Sequence, residues 1–178
     1  PSLIKAHPHV EVVLHGWRHE NHALSGKSEY PAERPATDVA REMRDGLECL
    51  QEAFGSQCLP VLTPPWNKIA NEHLQTVFDS GVRAISTIGH HDGPHFYPVQ
   101  LDLLQWRPPP PRFKGLEICQ KALSTFINNH SYTGVLSHHL VHDAETWLYT
   151  EHLFQTIPPC RWVSFSRMAA NSLSSPSR

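Results

Sequence analysis

Short apolar runs alternate with longer amphipathic ones along this chain. Residues 10–14 read as a buried strand, and residues 59–62, 82–88, 99–104, 133–137 and 162–165 repeat the type. Between them the spacing turns helical. Thr37 or Asp38 can cap a helix on which Val39, Met43, Leu47, Leu50 and Phe54 share one face, and Gly55 ends it. Asn71 can cap a second helix carrying Leu74, Val77 and Phe78, closed by Gly81. Helices are also expected over residues 116–129 and from an Asp143 cap to about Thr156. Loops are expected at residues 25–36, 89–95 and 108–111, and the serine-rich residues 171–178 read as a disordered tail behind a single domain of residues 1–170. Strands alternating with helices favour an α/β fold with a mainly parallel sheet, open or closed into a barrel. Such folds carry their active-site loops after the strand C-termini.

Composition narrows the partners. The chain has 178 residues, 39% hydrophobic and 18% charged, with a formal net charge of −2. No basic run offers a nucleic-acid surface, so no nucleic-acid partner is expected. No stretch approaches the roughly 20 apolar residues of a membrane span, so no membrane partner is expected either. The four cysteines (Cys49, Cys58, Cys119 and Cys160) form no CxxC pair and read as small hydrophobes in a reducing compartment. A cytoplasmic location follows, with secretion left open if a leader was removed upstream of Pro1. The strongest bias is 14 histidines.

Those histidines cluster at strand ends. The first strand runs into His15-Gly16-Trp17-Arg18-His19-Glu20-Asn21-His22. If the chain enters a helical turn at His15, His15 and His19 share a face about 6 Å apart along the axis, and two imidazoles at that offset can chelate one ion. His22 would then lie about 10.5 Å from His15, as a substrate-side residue. A His19/His22 pair is the alternative, and solvent-facing or capping histidines are the simpler reading of an isolated HxxxH. After the second strand, Thr63-Pro64-Pro65-Trp66-Asn67 forms a stiff turn that fixes the Trp66 ring and backbone N–H, as a pocket wall or an ordinary rigid connection. The strand over residues 133–137 ends on His138 and His139, only one of which enters a shared pocket from an extended segment. A histidine there suits general acid work, because imidazole titrates near 6.5 in water. Asp102 to Trp106 offers an acidic group and an aromatic face, and His90, His91 and His95 a lid or a further metal contact.

In this order, the segments resemble the polysaccharide deacetylase (NodB-homology) family of metal-dependent carbohydrate esterases. His15-Gly16-Trp17-Arg18-His19 resembles its second motif, Thr63-Pro64-Pro65-Trp66-Asn67 its third, Asp102 to Trp106 its fourth and Leu136-Ser137-His138 its fifth. The resemblance implies a distorted (β/α) barrel and a divalent metal, zinc above all, held by His15, His19 and an aspartate. It implies removal of acyl groups from N-acetylated sugars by attack of a metal-bound water, with an N-acylated carbohydrate or related small amide as substrate. His138 would protonate the departing amine, the Trp66 N–H would stabilise the oxyanion, and Trp66, Trp106, His22 and His139 would line the substrate side.

Two departures accompany the likeness. Thr63 and Asn67 stand where the family's third motif has Arg and Gly. The family's first motif, a strand ending in paired aspartates, has no counterpart: fourteen residues precede His15, and Glu11 is their one carboxylate. The missing methionine at position 1 favours an N-terminally truncated member. The alternatives are a catalytically incomplete member that binds carbohydrate or metal, and a structural α/β protein with capping histidines.

Overall fold

The computed structural model describes residues 2–88 and 93–173. After a short helix α1 (Ser2–Lys5) comes strand β1 (Val12–Leu14), then helix α2 (Ala36–Phe54), strand β2 (Cys58–Leu62), helix α3 (Leu74–Asp79) and strand β3 (Ala84–Ile85). Strands β4 (Leu101–Asp102), β5 (Leu104–Gln105) and β6 (Arg112–Phe113) precede helix α4 (Leu116–Asn129), strand β7 (Val135–Leu136) and helix α5 (Ala144–Thr156). Helices α6 (Phe165–Met168) and α7 (Ala170–Leu173) close the described chain. Two compact units result, Pro1–Tyr97 with Ser164–Arg178, and Pro98–Val163.

In the first unit β1, β2 and β3 form a parallel sheet in that order, with α2 and α3 as the connections. Val39 and Met43 of α2 are fully buried against Leu14, Leu62 and Val77, as the helical spacing requires. Gly46 lets α2 sit close on β1, since a Cβ there would lie 2.7 Å from a Leu14 methyl. No side chain caps α2: Pro35 precedes it, and Asp38 pairs with Arg41 at 3.1 Å instead. Asn71 is likewise no cap, opening a 3-10 turn (Asn71–His73) that leads into α3. His95, a candidate metal contact, donates its Nδ1–H to the Arg83 carbonyl at 3.1 Å, and its ring packs on Phe78. His90 and His91 lie outside the described residues.

In the second unit β4 pairs parallel with β7, and β5 antiparallel with β6. The single strand expected over residues 99–104 is therefore two, because Asp102 Oδ1 accepts the Leu104 N–H at 2.9 Å and turns the chain between them. Helices α4 and α5 pack Cys119, Tyr149 and Leu153 on Leu101 and Leu103. Burial foremost, with the nearby Cys119, pushes the Tyr149 hydroxyl up to about 12.

Two sequence expectations near the C-terminus fail. Residues 162–165 form no strand: Pro158 and Pro159 lead into a 3-10 turn, and the Ser164 hydroxyl then caps α6 through the Arg167 N–H. Residues 171–173, expected in a disordered tail, are helical. The buried Ser172 hydroxyl bonds Tyr97 and the Pro94 carbonyl, both at 2.8 Å. Among the described residues no helix is long and apolar enough to cross a membrane.

Candidate functional site

Because β1, β2 and β3 are parallel, the segments that leave their C-termini emerge on one edge. Hydrogen bonds tie them together there. The Thr63 N–H donates to Leu14 O at 2.8 Å, the Ser86 N–H to Leu62 O at 2.9 Å, and the Ile88 N–H to Asn67 Oδ1 at 3.2 Å. Open α/β sheets place ligands on this edge.

His15 leaves β1 here, and its Nδ1 lies 2.7 Å from the Thr63 carbonyl oxygen. A carbonyl only accepts, so Nδ1 carries a proton, and in the neutral tautomer this leaves the lone pair on Nε2. Metal-binding histidines are oriented in this way by a partner on the second nitrogen.

The segment after His15 is not the helical turn that the HxxxH spacing allowed. Residues 15–22 are irregular, with left-handed backbone at Gly16 (φ 73°) and His19 (φ 58°). The two rings still meet, with centroids 5.2 Å apart and planes inclined at 51°. Glu29 is the cause. Its Oε1 accepts three successive backbone N–H groups, from Trp17 at 3.2 Å, Arg18 at 2.7 Å and His19 at 3.1 Å. Successive amides converging on one anion form a nest, and here a side chain of the same chain fills it. Glu29 is only 1% exposed.

Trp66 completes the group. Its backbone is left-handed (φ 54°, ψ 17°), as is that of Asn67 (φ 57°), and its ring meets His19 edge-on at 4.4 Å. Non-glycine residues in this conformation are uncommon and cluster at functional sites. The Lys27 ammonium lies 5.9 Å from the Trp66 ring centroid. Lys27, Lys68, Ser28 and Asn67 line an open pocket of about 450 Å³. The other candidate, His22, goes elsewhere: its N–H donates to Ser28 O at 2.9 Å, and its side chain lines a cleft of about 170 Å³ with Trp17, Arg18 and Glu20. Of the two pairings left open by the spacing, the rings make His15/His19.

In the second unit the parallel pairing of β4 with β7 sets Asp102 opposite Leu136. Trp106 Nε1–H donates to Asp102 Oδ2 at 2.8 Å, and the Trp106 ring meets the His138 ring at right angles, 4.7 Å away. His139 does not continue an extended segment; it is exposed and opens a 3-10 turn. A contact the sequence did not reveal joins the Ser137 hydroxyl to His142 Nε2 at 2.7 Å, with the His142 ring on Trp147. Asp143 then caps α5. Its Oδ1 accepts from Thr146 N–H at 2.8 Å and Thr146 Oγ1 at 2.6 Å, and its Oδ2 from Phe113 N–H at 3.1 Å. Foremost the Thr146 hydroxyl, then the Thr146 and Phe113 amides, hold this carboxyl below its ordinary value.

Two imidazoles supply two donors for a divalent ion. Among the described residues no set of three or more His, Cys, Asp or Glu side chains is placed to hold one. Glu29 points its bonded oxygen at backbone amides, and its second oxygen is buried without a hydrogen-bond partner. Sequence reasoning missed Glu29 because nothing in the spacing of residues 15–29 marks it. Compared with known proteins, the chain matches no family model, no curated protein and no solved structure.

Proposed function

We propose that this chain is a metal-dependent amide hydrolase of the polysaccharide deacetylase type, acting on N-acylated sugars within a distorted (β/α) barrel. One observation carries the reading. The His15 ring is anchored through Nδ1 on Thr63, and its centroid lies 5.2 Å from that of the His19 ring at the C-terminal edge of a parallel sheet. His15 and His19 would hold a divalent ion, zinc by preference. Such an ion polarises an amide carbonyl and lowers the pKa of water to about 7 in favourable zinc sites. Among the described residues no third His, Cys, Asp or Glu joins them in such a set.

The chain's own residues take the other roles. Trp66, with its backbone turned left-handed, offers its N–H to the oxygen of the attacked carbonyl and its ring to the sugar face. The adjoining pocket of about 450 Å³ falls in the size range of small-ligand sites. In the second unit the Trp106 ring meets His138 and its N–H bonds Asp102, and the family resemblance would give His138 the role of proton donor to the departing amine.

A second reading is a member of the same fold that binds carbohydrate or metal without turnover. It needs only the histidine pair and the adjoining pocket. Acetate release from an N-acetylated chito-oligosaccharide, with zinc present, separates the two. Hydrolysis that His138→Ala lowers by about 10²–10⁴-fold supports the enzyme. Unchanged hydrolysis in His138→Ala removes His138 from the mechanism. Saccharide binding without acetate release establishes the second reading.

A further inference from the structure

The conformation of the first histidine segment is not a local property of its residues. Gly16 tolerates a positive φ, but His19 carries a branched ring at φ 58°, where an L residue is disfavoured. Something outside the segment must hold it. The Glu29 side chain, ten residues beyond His19, accepts from the backbone of Trp17, Arg18 and His19.

Glu29 is itself tightly held. Its carbonyl accepts from Arg34 Nη1 at 3.3 Å, and Arg34 is in turn clamped by both Glu42 oxygens at 2.7 Å. The next residue, Tyr30, is fully buried and bridges to Ile69 beyond the Trp66 turn. On its other side the carboxylate fills the space over Gly16, where a Cβ would lie 1.9 Å from Oε2 and 2.7 Å from Pro65 Cγ. One carboxylate therefore touches the turn after β1, and its neighbour Gly16 touches the turn after β2. A buried carboxylate with one oxygen unpartnered is a costly arrangement to keep for packing alone.

We infer that Glu29 is the positioning residue of the histidine pair. By filling the nest of residues 17–19 it fixes the left-handed turn at His19, and that turn sets the His19 ring between His15 and Trp66. This rests on the metal-site reading for what the pair does, but the positioning itself is a property of the metal-free chain.

The test compares the chain with Glu29→Ala, Glu29→Gln and Val77→Ala, the last a core truncation in the same unit away from the loop. Three signals are read: amide hydrogen exchange of Trp17, Arg18 and His19; the nuclear Overhauser contact between the His19 and Trp66 rings; and zinc affinity by calorimetry. Glu29→Ala is expected to expose the three amides, abolish the ring contact and weaken zinc binding about 10–100-fold, the cost typical of removing a group that orients a ligand. Val77→Ala should lose stability and leave all three signals unchanged. A Glu29→Ala protein that is less stable yet keeps the ring contact and the zinc affinity overturns the proposal. If Glu29→Ala does not fold, Glu29→Gln decides. It keeps an acceptor oxygen but loses the charge, so the 17–19 amide protons should move upfield and zinc should bind more weakly. Unchanged resonances and affinity would overturn the proposal. If the unaltered chain binds no zinc, the metal reading fails, while loss of the ring contact in Glu29→Ala still upholds the positioning role.

Discussion

Replacing Asp143 with alanine removes three hydrogen bonds from the point where the His138 segment enters α5. The cap to the Thr146 amide is worth about 1 kcal/mol. The Thr146 hydroxyl, on a residue with no exposure, and the Phe113 amide also lose their partner, at about 1 kcal/mol each. The expected loss is about 3 kcal/mol, which lowers the urea midpoint by about 1.5 M at a slope of about 2 kcal/mol/M. The assay is urea unfolding followed by far-ultraviolet circular dichroism. The pH dependence gives a second check. The Asp143 carboxyl is held low in the native state, so the native state binds fewer protons than the unfolded one and stability rises with pH. Its contribution is complete above the unfolded value near 3.8 and is lost as pH falls through the lower native one. The gap between the chain and its non-titrating Asp143→Asn variant should therefore be widest near neutrality and close below about pH 3.8. A loss under 0.5 kcal/mol in Asp143→Ala, or a gap that stays constant from pH 7 to pH 3, would refute the reasoning.

Arg34→Ala should cost about 3–5 kcal/mol by thermal or urea unfolding, because it strands the Glu42 carboxylate, which is 7% exposed, without its two-point partner. A loss within the range of an exposed pair, under about 1 kcal/mol, would show that water replaces Arg34 there. Trp106→Phe keeps an aromatic ring against His138 but breaks the 2.8 Å bond to Asp102; about 1 kcal/mol should be lost in urea unfolding. An unchanged midpoint would mean that Asp102 finds another donor.

What the sequence revealed was local. Helix α4 occupies the residues its apolar spacing marked, and α5 begins at the Asp143 cap, since cap and stripe lie within one turn of each other. Strand lengths depend on partners elsewhere in the chain. The apolar run 82–88 yields only Ala84–Ile85, because only these two residues find a register on β2. The run at residues 162–165 finds none, and Ser164 becomes a cap. The site divides along the same line. His15, His19 and Trp66 were readable as strand-end chemistry, and the structure brings their rings together. The means was not readable. A helical turn was the conformation suggested by the HxxxH spacing, whereas a left-handed loop wrapped on Glu29 is the conformation found. That carboxylate acts across ten residues of loop, a distance at which no periodic pattern survives.

Zinc binding by the histidine pair is the central claim, and calorimetry with metal analysis tests it most directly. The chain should bind one zinc ion, and His15→Ala and His19→Ala should each abolish stoichiometric binding while His22→Ala, in its separate cleft, retains it. Zinc bound equally well by His15→Ala and His19→Ala, or lost only in His22→Ala, would contradict the account.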